Sequence, residues 1–374
     1  MIHFASPLAQ YRTHRDAIQS AIARVLESGT YILGAEVDAF ERAFADFCGV
    51  THAVGVGNGT DALILALRAL DVGPGDEVVT VSHTAVATVA AVLATGATPV
   101  LVDVEPQFYT LDPTLIEEAL TPRTKAILAV HLYGQAADMA PIMRVATARG
   151  LRVIEDCAQA AGSRYGGQRV GSIGDIGCFS FYPTKNLAAM GDGGMLVTSH
   201  ADLAARVGRL RQYGWDNSRK THEIGLNSRL DPLQAAILNA KLPRLETDNA
   251  RRAAIAGHYQ RSLAKLPLTL PGVRPHTGHA YHLYVVTCDD RDGLMSHLAR
   301  HKIGSGIHYP LPVHRQKGYA ERVRMPAGGL PVTDALVARI LSLPLYPELS
   351  DADVDRIVGA VDGFFKDHRT AFQL

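Results

Sequence analysis

The chemistry open to this chain is clearest in one amine and one carboxylate. Lys185 stands in Cys178-Phe-Ser-Phe-Tyr-Pro-Thr-Lys-Asn-Leu187, and Asp156 closes an apolar run in Val153-Ile-Glu-Asp-Cys-Ala-Gln-Ala160; Gly191-Asp-Gly-Gly194 follows the lysine. An amine withdrawn from water gives up its proton more readily and becomes a nucleophile able to capture an aldehyde. A carboxylate beside a ring nitrogen keeps that nitrogen protonated, so the ring can draw electrons from whatever is attached to it. Together the two groups meet the needs of pyridoxal 5'-phosphate. Each has a plainer alternative: Lys185 as a surface residue of the turn after Tyr182, and Asp156 as the acidic cap of a following helix. Asp156 is the better candidate than Glu155, because adjacent side chains on a strand point to opposite faces and only one can meet a ligand.

A phosphorylated cofactor also needs an anion cradle. Gly55-Val-Gly-Asn-Gly-Thr-Asp61 runs directly into a segment with helical spacing. A helix start offers backbone N–H groups and the positive end of the dipole, and glycines let an anion come close. Gly59 and Thr60 are the candidate phosphate contacts, with Ser180 as a further donor; an ordinary N-cap by Thr60 or Asp61 is the alternative. The segment is not a Rossmann fingerprint, since Thr60 stands where the third glycine belongs. Gln159 could reach a ring hydroxyl or cap a turn. His83, in Val81-Ser-His-Thr84, could lie against an aromatic cofactor or cap the next helix. Asn227-Ser-Arg-Leu-Asp231 reads from spacing alone as a polar turn and cap.

Composition narrows the class. The 374 residues have room for two domains, and 37 Lys plus Arg balance 37 Asp plus Glu, which leaves no global field drawing the protein to nucleic acid or an anionic membrane. Any anion must be caught locally. Cys48, Cys157, Cys178 and Cys288 form no Cys-x-x-Cys pair and no zinc-type cluster, so a reducing compartment and no structural metal are expected. The N-terminus has no basic region followed by an apolar stretch, and no segment approaches the roughly 18 apolar residues of a membrane span. A cytoplasmic protein is expected.

These groups must be placed by a scaffold, and its pattern is regular. Residues 77–81, 99–104, 125–131, 152–155, 178–181 and 195–198 read as buried strands, and residues 61–70, 84–94, 113–120, 139–149 and 203–211 between them as helices. The alternation predicts an α/β fold, a mostly parallel sheet covered by helices on both faces. Residues 231–246 read as a longer helix whose pattern runs toward Tyr259 and leads into a smaller C-terminal α+β domain, with strands at 284–288 and 307–309 and a closing helix at 351–365. The expected division is 1–245 for the large cofactor-binding domain and 246–374 for the small one.

Taken together, these segments resemble the sugar aminotransferases of the DegT/DnrJ/EryC1/StrS family, which are fold-type I pyridoxal phosphate enzymes with an aspartate-aminotransferase-like large domain. The resemblance spans nearly the whole chain, including Ser28-Gly-Thr-Tyr-Ile-Leu-Gly34, Gly57-Asn-Gly-Thr-Asp-Ala-Leu63, Gly73-Pro-Gly-Asp-Glu-Val78, His131-Leu-Tyr-Gly-Gln135, the Asp156 and Lys185 segments, His308-Tyr-Pro310 and Ser342-Leu-Pro-Leu-Tyr-Pro347. Ala188 and Cys157 depart from the residues the family favours there, and both are small enough to be tolerated.

The resemblance implies roles residue by residue. Lys185 binds the cofactor covalently and acts as acid and base, Asp156 pairs with the ring nitrogen, Gln159 meets the ring hydroxyl, and His83 stacks on the ring. Gly59, Thr60 and Ser180 hold the phosphate. Asn227 reaches the phosphate in the neighbouring subunit, so a homodimer with shared active sites is implied. Tyr31, His308 and Tyr309 are expected in the sugar pocket and Arg229 at a substrate carboxylate or phosphate. Lys220, Arg315 and Lys317 are candidates for a diphosphate.

The implied reaction takes an amino group from glutamate, releasing 2-oxoglutarate. The cofactor passes through pyridoxamine 5'-phosphate, and the amino group goes to a keto group of a nucleotide-linked deoxysugar destined for lipopolysaccharide or a glycosylated natural product. The forms Ser82-His-Thr84 and His131-Leu-Tyr-Gly-Gln135 are most similar to members that aminate C3 of a dTDP-3-keto-6-deoxyhexose. The alternatives are C4 amination of an NDP-4-keto-6-deoxyhexose, a dehydratase-like lyase, which the retained Lys185 disfavours, a pyridoxal phosphate-binding regulatory protein without turnover, and a nucleotide-binding oxidoreductase.

Overall fold

The short β-branched runs assemble into one seven-stranded sheet in the computed structural model, which describes residues 1–371. The strands in chain order are β1 (His52–Val56), β2 (Glu77–Val81), β3 (Thr98–Val102), β4 (Thr124–Val130), β5 (Arg152–Asp156), β6 (Ile176–Ser180) and β7 (Gly194–Thr198). Their order across the sheet is β1-β7-β6-β5-β4-β2-β3. The pairs from β6 through β3 are parallel, while β7 runs antiparallel to both β6 and β1. Helices Val86–Ala94 and Met139–Arg149 make the crossovers from β2 to β3 and from β4 to β5. The sheet is therefore α/β and mostly parallel, as the alternation required.

Alternation along β6 and β7 shows how both faces are covered. Phe179, Met195 and Val197 pack with Phe40, Phe44 and Leu238, whereas Cys178 and Leu196 face the cluster built on Leu63, Ala66 and Val79. In helix Ala35–Cys48, Val37, Phe40, Phe44 and Cys48 recur at helical spacing and form its buried stripe. The Phe44 ring meets Phe179 and Phe181 edge-on, with centroids 5.0 and 5.4 Å away.

A second apolar cluster lies in the C-terminal part, around Tyr259, Leu298, Leu341 and Ile357. Two antiparallel strands, β8 (Tyr284–Thr287) and β9 (Ile340–Leu343), pack there beside helix Asp351–Ala371. Tyr284 and Val286 belong to this cluster, but Leu283 and Val285 face the large one, so this small sheet joins the two cores. Residues 372–374, the end of the expected small domain, lie outside the described residues. Among the described residues no helix is long and apolar enough to cross a membrane.

Several sequence expectations need correction. Residues 307–309 do not form a strand; only Gly306 bridges to Ser342. Pro310 and Pro312 lack the N–H a ladder needs, and the His308 and Tyr309 side chains are bonded elsewhere. The long helix from 231 is three pieces, Pro232–Lys241, the 3₁₀ turn Leu242–Arg244 and Leu245–Leu263, because Pro243 interrupts the hydrogen-bond ladder. Residues 113–120 split into a 3₁₀ turn and a single helical turn. The residues leading into the glycines form the antiparallel edge strand β1, which pairs with β7.

This topology sets one edge for the chemistry. The C-terminal ends of β1, β2, β4, β5 and β6 share it, and β7 begins there, so Val56, Gly194 and Ser180 stand in one cross-strand row. A Cβ on Gly194 would lie 2.3 Å from the Asn58 carbonyl oxygen and 2.9 Å from the Gly59 nitrogen. Gly194→Ala is therefore expected to lower stability by about 1–3 kcal/mol through overpacking. Gly208→Ala, in helix Ala201–Leu210 with nothing within 4 Å of the added atom, should be neutral or raise stability by up to ~1 kcal/mol. Urea unfolding of the two variants measures the contrast.

Candidate active site

Asp156 is the last residue of β5, and its neighbour Glu155 points the other way, as the strand's alternation demands. Glu155 is fully buried and accepts N–H groups from Gly171, Ile173 and Gly174 at 2.7–2.8 Å, together with the His131 ring at 3.0 Å. It holds a loop and cannot meet a ligand. Asp156 accepts the Thr88 hydroxyl at 2.8 Å on one oxygen and the Ala158 N–H at 3.1 Å on the other. A carboxylate only accepts, so the Thr88 proton goes to Asp156, and Thr84, whose hydroxyl lies 2.8 Å away, donates to Thr88. Burial nevertheless raises the Asp156 pKa, outweighing Thr88, Ala158 and the nearby Lys185 charge.

Lys185 follows β6 in a turn closed by its own N–H to the Tyr182 carbonyl at 2.8 Å. Its side chain lines a cavity of about 380 Å³ shared with Gln159, Tyr182, His282, His308 and Tyr309. Desolvation lowers its pKa to about 8, with Asp156 pulling the other way. A lowered pKa leaves a neutral fraction near physiological pH, the condition for a nucleophilic amine.

His83, just past β2, is buried, and burial lowers its pKa to about 4. Its Nε2 lies 2.9 Å from the Tyr133 hydroxyl, which itself donates to the His308 carbonyl oxygen. The Tyr133 proton is thus committed, and His83 donates from Nε2. Tyr109 and Tyr133 meet the imidazole edge-on, at 82° and 85°. The result is a neutral, fixed, flat ring. Gln159 accepts the Tyr133 N–H at 2.7 Å and donates to the Tyr309 hydroxyl at 2.9 Å, and burial raises the Tyr309 pKa to about 12, so this phenol keeps its proton.

The segment expected to cradle an anion is the start of helix Gly59–Ala69. Its N-cap is Asn58, whose side chain accepts the Asp61 N–H at 2.8 Å, and not Thr60 or Asp61 as the sequence alternative had it. The N–H groups of Gly59 and Thr60 are those a helix start leaves for an anion. A Cβ on Gly59 would lie 2.7 Å from the Ser180 Cβ, so only glycine lets these two segments converge.

The remaining candidates sit elsewhere. Tyr31 is exposed and donates to the Leu26 carbonyl oxygen at 3.0 Å; Arg229 lines a separate surface cavity with Ile32, Leu33 and Trp215. Asn227 is exposed, next to Ser228, which bonds to Gly57 and Asp61. Arg315 is paired with Asp334, and Lys317 lines a shallow groove beside Tyr309. None of Tyr31, Asn227 and Arg229 lines the Lys185 cavity. Sequence reasoning missed Thr88, Tyr133 as an anchor, and His282. The Thr84/Thr88 spacing of one helical turn was a usable signal; His282 had none.

His131, Glu155 and Cys157 bring metal-ligand atoms within 4.8 Å of one another. The His131 Nδ1 already accepts the Ala137 N–H and Glu155 is saturated by backbone, so this group serves as a structural lock.

Two outcomes follow from the site. Thr88→Val removes the donor that favours the charged form of Asp156, and should raise its pKa by about 1; Thr88→Ser should restore it, read by carboxyl carbon NMR against pH. In the cofactor-free protein, the Lys185 pKa is about 8 folded against 10.5 ordinarily. The unfolded chain therefore binds more protons between these values, so stability rises with pH across that window and the buried charge costs stability below it. Lys185→Met should be more stable by about 1–2 kcal/mol at pH 7, with the gain gone by about pH 10.5, measured by urea midpoints.

Residues 12–362 match the DegT/DnrJ/EryC1/StrS aminotransferase family. The dTDP-3-amino-3,6-dideoxy-alpha-D-galactopyranose transaminase of Aneurinibacillus thermoaerophilus is 48% identical over 351 residues, 94% of this chain and 96% of that protein. The UDP-N-acetyl-3-dehydro-alpha-D-glucosamine 3-aminotransferase of Acidithiobacillus ferrooxidans is 46% identical over 361 residues, 96% of this chain and 97% of that protein. The crystal structure of S. venezuelae DesV in complex with a ketimine intermediate matches with a TM-score of 0.95 at 46% identity, covering 98% of each chain. With the fold, the lysine–carboxylate pair and these relatives in agreement, the chain belongs to the DegT/DnrJ/EryC1/StrS aminotransferase family.

Proposed function

We propose that this chain is a pyridoxal phosphate-dependent aminotransferase that moves an amino group from glutamate to C3 of a dTDP-linked 3-keto-6-deoxyhexose. The observation that carries the reading is the Lys185 amine, its pKa lowered by burial, in a cavity at the sheet edge with Asp156 behind it. Position C3 is supported by the 3-amino sugars in the relatives' names.

The residues fit the cofactor. The close approach of Gly59 to Ser180 and the N-terminus of helix Gly59–Ala69 make a phosphate cradle, which Thr60 completes. Asp156 would hold a protonated ring nitrogen, with Thr88 keeping its carboxylate charged. His83 offers a fixed neutral ring against one face, and Gln159 an amide toward the ring hydroxyl. Pyridoxal phosphate, when bound, supplies an aldehyde for amines and a ring that accepts an electron pair from the adjacent carbon. Lys185 Nζ would carry a proton from the donor's carbon to the cofactor carbon bearing the nitrogen in one half-reaction, and from that carbon to the sugar carbon in the other. Tyr309 and His308 wall the cavity, and both stay neutral at physiological pH because burial raises the Tyr309 pKa to about 12 and lowers the His308 pKa to about 4.

The same reading makes the protein a homodimer. Asn227, Tyr31 and Arg229, exposed or away from the Lys185 cavity in one chain, are assigned to the partner's site. It also takes residues 1–245 as the cofactor-holding part and 246–374 as the smaller part, which the separate apolar cluster around Tyr259 and Ile357 supports. A cytoplasmic location is supported by four buried, unpaired cysteines.

The test is a pair of half-reactions followed by visible absorbance. Glutamate should bleach the yellow holoenzyme, and after its removal a dTDP-3-keto-6-deoxyhexose should restore the colour; Lys185→Ala should abolish both changes. Return of colour only with the 4-keto sugar would move amination to C4, and only with a UDP sugar would change the nucleotide. A holoenzyme that glutamate never bleaches would exclude an aminotransferase using this donor.

A further inference from the structure

The Lys185 cavity does not end at the lysine. It continues between the N-terminal segment Phe4-Ala-Ser-Pro7 and Tyr346-Pro-Glu348, and Arg252 of helix Leu245–Leu263 forms part of its wall. Arg252 is only 4% exposed. Its Nη1 donates to the carbonyl oxygens of Leu345 at 2.9 Å and Tyr281 at 3.3 Å, and its buried Nε has no partner among the described residues. Glu348 and Asp248 influence it only from beyond ion-pair distance; Asp248 faces His14 and Arg244 instead. A guanidinium withdrawn from water is ordinarily matched to a carboxylate or phosphate, because the charge is otherwise uncompensated. Here neutral carbonyls fix the side chain, and among the described residues no acid lies within ion-pair distance of it.

We propose that Arg252 is the anchor for a carboxylate of the amino donor, holding the amino acid in the cavity with its amine toward Lys185. The inference rests on the aminotransferase reading and names the residue that recognises the donor. Three observations support it. Arg252 and Lys185 line one cavity of roughly 380 Å³, room enough for an amino acid. His282, between the two elements, feels both cations, so the positive potential is continuous from the arginine to the amine. The guanidinium remains a cation at neutral pH, since burial lowers its pKa only to about 10. Glu348, on the same wall, is the acid whose attraction Arg252 feels most, from beyond ion-pair distance, so the carboxylate of the donor must compete with it.

The experiment is an absorbance titration of the reconstituted holoenzyme, first with glutamate and then, separately, with a dTDP-3-amino-6-deoxyhexose, the reverse of the second half-reaction. For Arg252→Met the glutamate concentration that half-bleaches the protein should rise about 100-fold, while the amino-sugar titration should shift by less than about threefold. Glu348→Gln should lower the glutamate concentration needed, which a merely structural role for this region would not do; it also serves if Arg252→Met fails to fold. Equal losses in both titrations of Arg252→Met would make the arginine structural or part of the sugar-nucleotide site and overturn the proposal. So would a glutamate titration left unchanged by Arg252→Met, or one left unchanged or weakened by Glu348→Gln. If the parent enzyme is bleached by the amino sugar but not by glutamate, the choice of donor is wrong and the proposal falls with it. If neither bleaches it, the aminotransferase reading itself fails.

Discussion

Desolvation of opposite charges at one sheet edge is the constraint on which the rest of this structure depends. Asp156 and Lys185 would each be cheaper to keep in water, and burial moves both pKa values toward the neutral forms. What holds them in place is a surround that cannot relax: β5 and β6 paired in parallel, a hydroxyl chain from Thr84 through Thr88, and an aromatic cluster behind β6. The strain in the electrostatics is borne by the packing of the scaffold. A site that lowers stability and gains reactivity is a common bargain in enzymes.

The sheet contributes more than support. Because β6 lies beside β5 and β7 returns antiparallel, the amine, the carboxylate and the helix start at Gly59 all reach the same edge. The two acids of β5 illustrate how strictly this sorts chemistry. Asp156 takes the Thr88 hydroxyl and the Ala158 N–H, while Glu155, one residue earlier, is spent on three backbone N–H groups and His131. Neutral groups then fill the space between the charges. His83, Tyr133, Gln159 and Tyr309 form one hydrogen-bonded chain whose proton positions are largely determined by which partners can only accept. Arg252 lines the same cavity as Lys185, so that one space offers an amine at one place and a cation at another.

Much of this was legible in the residues. The strand runs, the crossover helices, the choice of Asp156 over Glu155 and the glycine-rich helix start follow from periodicity, alternation and the steric freedom of glycine, which are local properties of a chain. The family followed from many ordered motifs. Where local rules failed, an identifiable competitor won. Pro243 broke a helix that the apolar pattern would have carried through, and Pro310 and Pro312 turned an apparent strand into a loop that serves the site. Asn58 took the cap that hydroxyl and carboxylate neighbours might have claimed, because its side chain reached the Asp61 N–H.

The sequence by itself thus determined the fold class, the cofactor chemistry and the candidate residues for it, because each of these is encoded by residue type at short range. Only the tertiary structure decided which side chains share a space. Thr88 meets Asp156 across 68 positions, Tyr133 meets His308 across 175, and Arg252 approaches the Lys185 cavity from a helix that spacing marks only as amphipathic. Contacts at such separations depend on how strands are ordered and cores are filled. No periodicity in one segment records where another segment will pack.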